Sequence, residues 1–291
     1  MVEPVGFQPE HFKAAMRAQW DQSADGWNAQ SKNIRHWLME ATRTMIEAGG
    51  IRPGYFVLDV AAGAGDQTLD LAAAVGPEGR VVASDLSPAI LRLAIENARS
   101  AGFSHVEGHV ADGENLGLPE GSFDAAVCRL GLMLFPDPLQ GLRQMFAAVR
   151  PGGRVATVVF GEPAANPCIT ILMRTALAHA GMPPRDPFSP GGLLSLGKPG
   201  LIDQLFEEAG FDAIRTTRLP AIFHLPATAD YLTFIRTSAG PILQILAGLD
   251  ESARQAAWDD IERNLDQFQT ESGWQGPNEL LVTSAMRPLQ G

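Results

Sequence analysis

Between residues 55 and 160, five short apolar runs alternate with helical patterns, and this alternation constrains the fold more than any other feature of the chain. The runs are YFVLDV (55–60), RVVAS (80–84), HVEGHVA (105–111), FDAAVC (123–128) and RVATVVF (154–160). Strands separated by helix-length spacers are the signature of βαβ units, so a doubly wound, Rossmann-like α/β fold with a mostly parallel sheet is expected. The punctuation agrees. Ser87-Pro88 and Asp137-Pro138 each place an N-cap acceptor before a proline at the first helical position. Gly102 and Gly152 stand where a C-terminal glycine releases a helix into the next strand.

After residue 160 the pattern changes. A Pro/Gly-rich stretch with one helical pattern (166–180) runs to residue 200, then come a helix ending in LFEEAGF and a weak strand near 213–218. Residues 228–268 read as two helices parted near Gly248, and ELLVTSAMR (279–287) alternates with the period of a strand. No linker is long enough to separate two domains. The 291 residues therefore read as one catalytic core, 51–223 with 273–291, whose surplus forms an N-terminal helical segment (1–50), an insert (161–200) and a helical insertion (224–272).

Lysine plus arginine number 22 and aspartate plus glutamate 33, a net charge of −11, which argues against nucleic acid as a partner. No run approaches 18 apolar residues and the first residues are neither basic nor apolar, so a cytoplasmic protein without an integral membrane segment is expected. Cys128 and Cys168 form neither a disulfide framework nor a metal clip and read as small buried hydrophobes.

The densest chemical signal is VLDVAAGAGD, 57–66: a strand ending in a carboxylate and turning through small residues into a helix. Small residues let the backbone turn tightly and a ligand approach the amides at the helix start. Gly63 and Gly65 sit in that turn, and Asp85 closes the next strand 85 − 65 = 20 residues later, where a carboxylate can accept both hydroxyls of a ribose. A dinucleotide fingerprint would place glycine or alanine at position 68, where this chain has Thr68, and Asp59 before the loop would repel a pyrophosphate. S-adenosylmethionine, which carries an ammonium and a sulfonium, suits an acidic strand tip better.

At these motifs the chain resembles the class I S-adenosylmethionine-dependent methyltransferases, and within them the ubiquinone/menaquinone-biosynthesis branch. The likeness runs in order over roughly residues 15 to 220. It includes Ala61 and Asp66 in the glycine loop, SDLSPAIL around Asp85 and Leu86, ADGENL at 111–116, and RPGGR at 150–154. The resemblance implies that Asp85 holds the ribose diol, Asp112 accepts from the adenine amine, the Gly113 amide faces the ring beside Ala111, and Arg129 borders the methionine moiety. It also implies that the last strand is antiparallel and that a helical cap covers the substrate. Ala64 replaces the hydroxyl residue many members carry, removing one polar contact.

The N-terminal segment carrying Trp20, Trp27 and Trp37 can be read as an ordinary core stripe. In the resembled family it folds over the cofactor, so these tryptophans and Phe135 are candidate walls of the acceptor pocket, with Phe160, Phe188, Phe223 and Phe234 as further possibilities. His36, His179 and His224 lie outside the core strands and are candidate bases. His105 and His109 on a strand lie about 13 Å apart at roughly 3.3 Å per residue, too far to share a metal, and no metal site is expected. The expected function is methyl transfer from S-adenosylmethionine to a small, largely apolar acceptor by a monomer or homodimer. A NAD(P)-dependent oxidoreductase and a non-catalytic S-adenosylmethionine-binding module are the competing readings.

Overall fold

The computed structural model describes residues 8–238 and 240–289. Residues 1–7 of the expected N-terminal segment lie outside that description. Two helices, α1 (Pro9–Ala29) and α2 (Ser31–Ala48), precede the alternating region β1 (Phe56–Val60), α3 (Asp66–Val75), β2 (Arg80–Asp85), α4 (Pro88–Ser100), β3 (Val106–Val110), β4 (Phe123–Arg129), α5 (Pro138–Ala148) and β5 (Val149–Phe160). There follow α6 (Pro167–His179), α7 (Leu201–Glu208), β6 (Asp212–Pro220), β7 (Phe223–Leu225), α8 (Thr228–Ser238), α9 (Gly240–Ala247), α10 (Glu251–Leu265), β8 (Gln269–Thr270), β9 (Gly273–Gly276) and β10 (Glu279–Met286).

Seven strands form one sheet in the order β3-β2-β1-β4-β5-β10-β6. β10 runs antiparallel between β5 and β6, and the pairs β1–β2, β2–β3, β1–β4 and β4–β5 are parallel. The fold is therefore the expected mostly parallel, doubly wound sheet with an antiparallel last strand. Its central strands are sealed on both faces: Val57, Leu58, Ala125, Ala126, Val127, Val155 and Ala156 are all buried. Helix α2 closes one side with Ile34, Leu38, Ala41 and Met45, whose spacing of four, three and four keeps them on one face of a 3.6-residue helix.

The chain order reverses between β1 and β4. Their C-terminal ends diverge into loops on opposite faces of the sheet, leaving the crevice in which doubly wound sheets bind ligands. The helices around that crevice are capped as expected. Ser87 Oγ accepts from the Ile90 amide at 3.2 Å and Asp137 Oδ1 from the Gln140 amide at 3.0 Å. Such caps stabilise a helix start by about 1 kcal/mol each.

Two local expectations are corrected. Gly152 does not end a helix: α5 stops at Ala148, Val149 is already extended, and Gly152, at φ +77°, bends the chain within β5. Residues 228–268 form helices parted at Gly248 as expected, α9 ending at Ala247 and α10 starting at Glu251. A small antiparallel sheet, β7-β9-β8, also forms. It is built from segments too short for periodicity to reveal. Helix α1 packs on α4 and α8, and α6 packs on α9 and α10, so these helices form a layer over the crevice. Among the described residues no helix is long and apolar enough to cross a membrane.

Candidate functional site

A cavity of about 1010 Å³ occupies the crevice, at the upper end of the roughly 300–1,000 Å³ typical of small-molecule sites. One end is formed by the β1 loop and the tips of β2 and β4, the other by aromatic side chains of the covering helices.

The loop after β1 turns through Ala61 (φ +55°), Gly63 (φ +59°) and Gly65 (φ +88°), and Leu130 after β4 is also left-handed at φ +59°. Left-handed backbone costs a non-glycine residue about 1–2 kcal/mol, so strain gathers where the two strands open into the cavity. A Cβ on Gly63 would meet only Trp27 Nε1, at 3.8 Å, so the cavity face of this turn is open. Gly65 serves packing instead: a Cβ there would lie 2.9 Å from Ala94 Cβ of α4. Consistent with this, Gly63 borders the cavity and Gly65 does not.

Asp85 fixes both turns. Its Oδ2 accepts from the Gly63 amide and its Oδ1 from the Ser87 amide, each at 2.9 Å. Burial raises its pKa, opposed by the bonds from the Ser87 and Gly63 amides. A carboxylate has about four lone-pair sites, so acceptor capacity remains for a ligand hydroxyl. Leu86 and Ala111 border the same end of the cavity.

Asp59 does not reach the cavity. It is fully buried beneath the loop, where Oδ2 accepts from Thr68 Oγ1 at 2.6 Å and Oδ1 from Gln67 Nε2 at 3.1 Å. Desolvation raises its pKa to about 6, against the lowering by these two bonds and by Arg129. The strand-tip acid thus braces the loop from behind. Thr68, the residue that breaks a dinucleotide fingerprint, holds it there.

Asp112 Oδ1 accepts from the Glu114 amide at 2.9 Å. Lys13, reaching across from α1, places Nζ 2.7 Å from Asp112 Oδ2 and 2.6 Å from Glu114 Oε2. Phe135 lies against Gly113, where a Cβ would stand 2.2 Å from the ring. Arg129 is buried at the tip of β4, donates to Thr42 Oγ1 at 2.8 Å and stands 3.8 Å from Asp66 Oδ2. Burial lowers the Arg129 pKa, and the carboxylates of Asp66 and Asp59 resist that lowering.

The tryptophans converge on the cavity. Trp20 and Trp27 meet edge-to-face at 5.3 Å, Trp27 lies 6.0 Å from Phe234, and Trp37 stacks on Phe223 at 4.7 Å. Trp37 is fixed by a bond from Nε1 to the Ala221 carbonyl at 2.9 Å. Phe135 and Phe160 also border the cavity, whereas Phe188 does not.

None of the three candidate bases borders it. His36 is exposed on α2 beside a separate surface groove, His224 is exposed on β7, and His179 pairs with Asp260 Oδ2 at 2.6 Å. His105 and His109 each contact a different backbone carbonyl, those of Ala72 and Leu116. Both cysteines are buried, and desolvation pushes each thiol up to about 12.

Sequence reading missed Lys13 and Asp21, which tie α1 to the site. Asp21 Oδ1 accepts from Ser87 Oγ at 2.5 Å and from the Ala89 amide at 3.3 Å. Nothing distinguishes either residue from ordinary surface charge in a polar helix.

The donor set could hold an adenosine with an amino-acid tail: Asp85 for the diol, the 111–114 turn for the base, and Asp66 with Arg129 for a zwitterion. Residues 30–175 match the model of the ubiE/COQ5 methyltransferase family. Over 126 residues the chain is 36% identical to the ubiquinone/menaquinone biosynthesis C-methyltransferase UbiE of Pasteurella multocida, covering 43% of this chain and 47% of that one. The chain thus spans about half the length of the curated relatives it matches. Among solved structures, the YcgJ protein of Bacillus subtilis superposes with a TM-score of 0.58 at 18% identity, covering 87% of this chain and all of that one. Phosphoethanolamine N-methyltransferase 2 of Haemonchus contortus, in complex with S-adenosyl-L-methionine, superposes with a TM-score of 0.51 at 16% identity, covering 86% and 52%. At those identities the two structures speak to the fold alone.

Proposed function

The chain belongs to the ubiE/COQ5 methyltransferase family, and from that premise we propose that it transfers a methyl group from S-adenosylmethionine to a small, largely apolar acceptor. The observation that carries this reading is the continuity of the cavity, which joins the Asp85 turn to an aromatic chamber walled by Trp37, Phe160, Phe223 and Phe234. A volume of about 1010 Å³ suits two ligands better than one.

S-adenosylmethionine supplies a methyl already activated on a sulfonium, so the protein's work is binding, alignment and exclusion of water. Asp85 accepts the ribose hydroxyls, Asp112 and Gly113 face the adenine edge, and Phe135 lies beside that slot. Arg129 and Asp66 answer the charges of the amino-acid tail. The α1 helix, fastened at Lys13 and Asp21, covers this end and shields it from solvent.

The acceptor chamber calls for an apolar ring, and the curated relatives' description as quinone-biosynthesis C-methyltransferases supports a quinol-like carbon as the acceptor. No histidine among the described residues borders the cavity, which favours an acceptor nucleophilic enough to need no imidazole base. Incubation with methyl-labelled S-adenosylmethionine and a panel of quinols, phenols and amines tests this. Label is expected in ring carbons of the quinols. Label confined to amines, or no transfer to any member, would overturn the reading.

A further inference from the structure

Tyr231 on α8 is 6% exposed and its ring is held on three sides. It stacks on Trp274 at 4.3 Å, meets Phe223 edge-to-face at 6.0 Å and lies 6.2 Å from Phe234. Its hydroxyl has no hydrogen-bond partner among the described residues, although a buried Tyr hydroxyl ordinarily finds one. Thr157 Oγ1 is the one side-chain polar atom among them that is both sealed off and unpartnered, so the Tyr231 hydroxyl keeps some accessible surface. Tyr231 belongs to the cavity wall, and the cavity is the free space it borders.

Its surroundings make this hydroxyl a donor. Burial lifts the phenol well above its ordinary range, with Cys168 nearby adding to the effect, so it stays protonated at any working pH. An unpaired buried donor favours a ligand that satisfies it and penalises one that does not, the asymmetry by which hydroxyl-reading sites discriminate strongly.

Building on the methyltransferase reading, we propose that Tyr231 is a specificity-determining residue of the acceptor chamber: its hydroxyl donates to an oxygen on the acceptor's ring, selecting oxygen-bearing rings over rings of the same shape without one. Trp274 and Phe223 hold the phenol still, so little ordering is required when the acceptor arrives. The role is one of orientation. No proton is transferred through it.

The test compares 1-naphthol with the near-isosteric 1-methylnaphthalene by calorimetry, using the full chain with and without saturating S-adenosylhomocysteine. Wild type is expected to bind 1-naphthol about tenfold more tightly, the discrimination of one satisfied buried donor. In Tyr231→Phe, which keeps the ring and its stack on Trp274, that preference should fall to about one while 1-methylnaphthalene binds as before. A merely structural role would weaken both compounds together. Equal binding of the two by wild type, a preference that survives in Tyr231→Phe, binding of neither compound, or equal loss of both would each overturn the assignment. Failure of S-adenosylhomocysteine to bind would instead overturn the parent reading, because the ring preference is also measured without it.

Discussion

Lys13 Nζ stands 2.7 Å from Asp112 Oδ2, so the helix that covers the cavity is fastened to the carboxylate proposed to receive the adenine amine. The same ammonium reaches Glu114 at 2.6 Å. Burial works against the charge, and the bonds to the two carboxylates outweigh it, leaving the Lys13 pKa raised. Closure of α1 and occupancy of the adenine slot therefore share a group.

If α1 retains the cofactor through this contact, Lys13→Met should speed dissociation of S-adenosylhomocysteine severalfold in a stopped-flow displacement measurement. Thermal stability should fall as well, because the buried Glu114 carboxylate loses its cationic partner, so the off-rate is read at a temperature where the variant is folded. An unchanged off-rate would show that α1 does not act as a latch.

Asp59 gives a pH signature with a definite sign. An aspartate titrates near 3.8 in the unfolded chain and at about 6 in the folded one, so the native state holds the extra proton between those values. Its contribution to stability is most favourable below pH 4 and is lost as pH rises through 6. Asp59→Asn removes that dependence. Its unfolding free energy relative to wild type should improve by about 2 kcal/mol between pH 4 and pH 7 in paired urea titrations. A difference flat with pH would mean that Asp59 is not held as described.

Gly65 carries the loop's packing. Alanine there meets Ala94 Cβ at 2.9 Å and must hold φ near +88°, so Gly65→Ala should cost about 2–3 kcal/mol in denaturant unfolding. Gly63→Ala faces open space and should cost only the backbone part, about 1–2 kcal/mol. Equal losses at the two positions would contradict the division between a packed and an open glycine.

The sheet was legible because its strands are short apolar runs separated by capped helices. Ser87 and Asp137 cap where their proline neighbours imply. Asp85 was legible too, since a strand end at fixed distance from a glycine loop carries geometric information. Asp59 was not: the sequence marks an acid at the strand tip, but whether it faces the ligand or the core depends on Gln67 and Thr68 folding back over it. Lys13 depends on contacts about a hundred residues away and Tyr231 on a stack with Trp274 from another element, and neither carries a local signature. The three histidines lie off the cavity for the same reason, since a position outside the strands does not determine the direction of a side chain.

If this cavity binds S-adenosylmethionine through Asp85, calorimetric titration of wild type and Asp85→Ala with S-adenosylhomocysteine will separate the two proteins. Wild type should bind one equivalent per chain. In a variant whose far-ultraviolet circular dichroism is unchanged, affinity should fall at least about a hundredfold, from loss of both the diol acceptor and the brace on Gly63. No binding by wild type, or equal affinity in the two proteins, would contradict it.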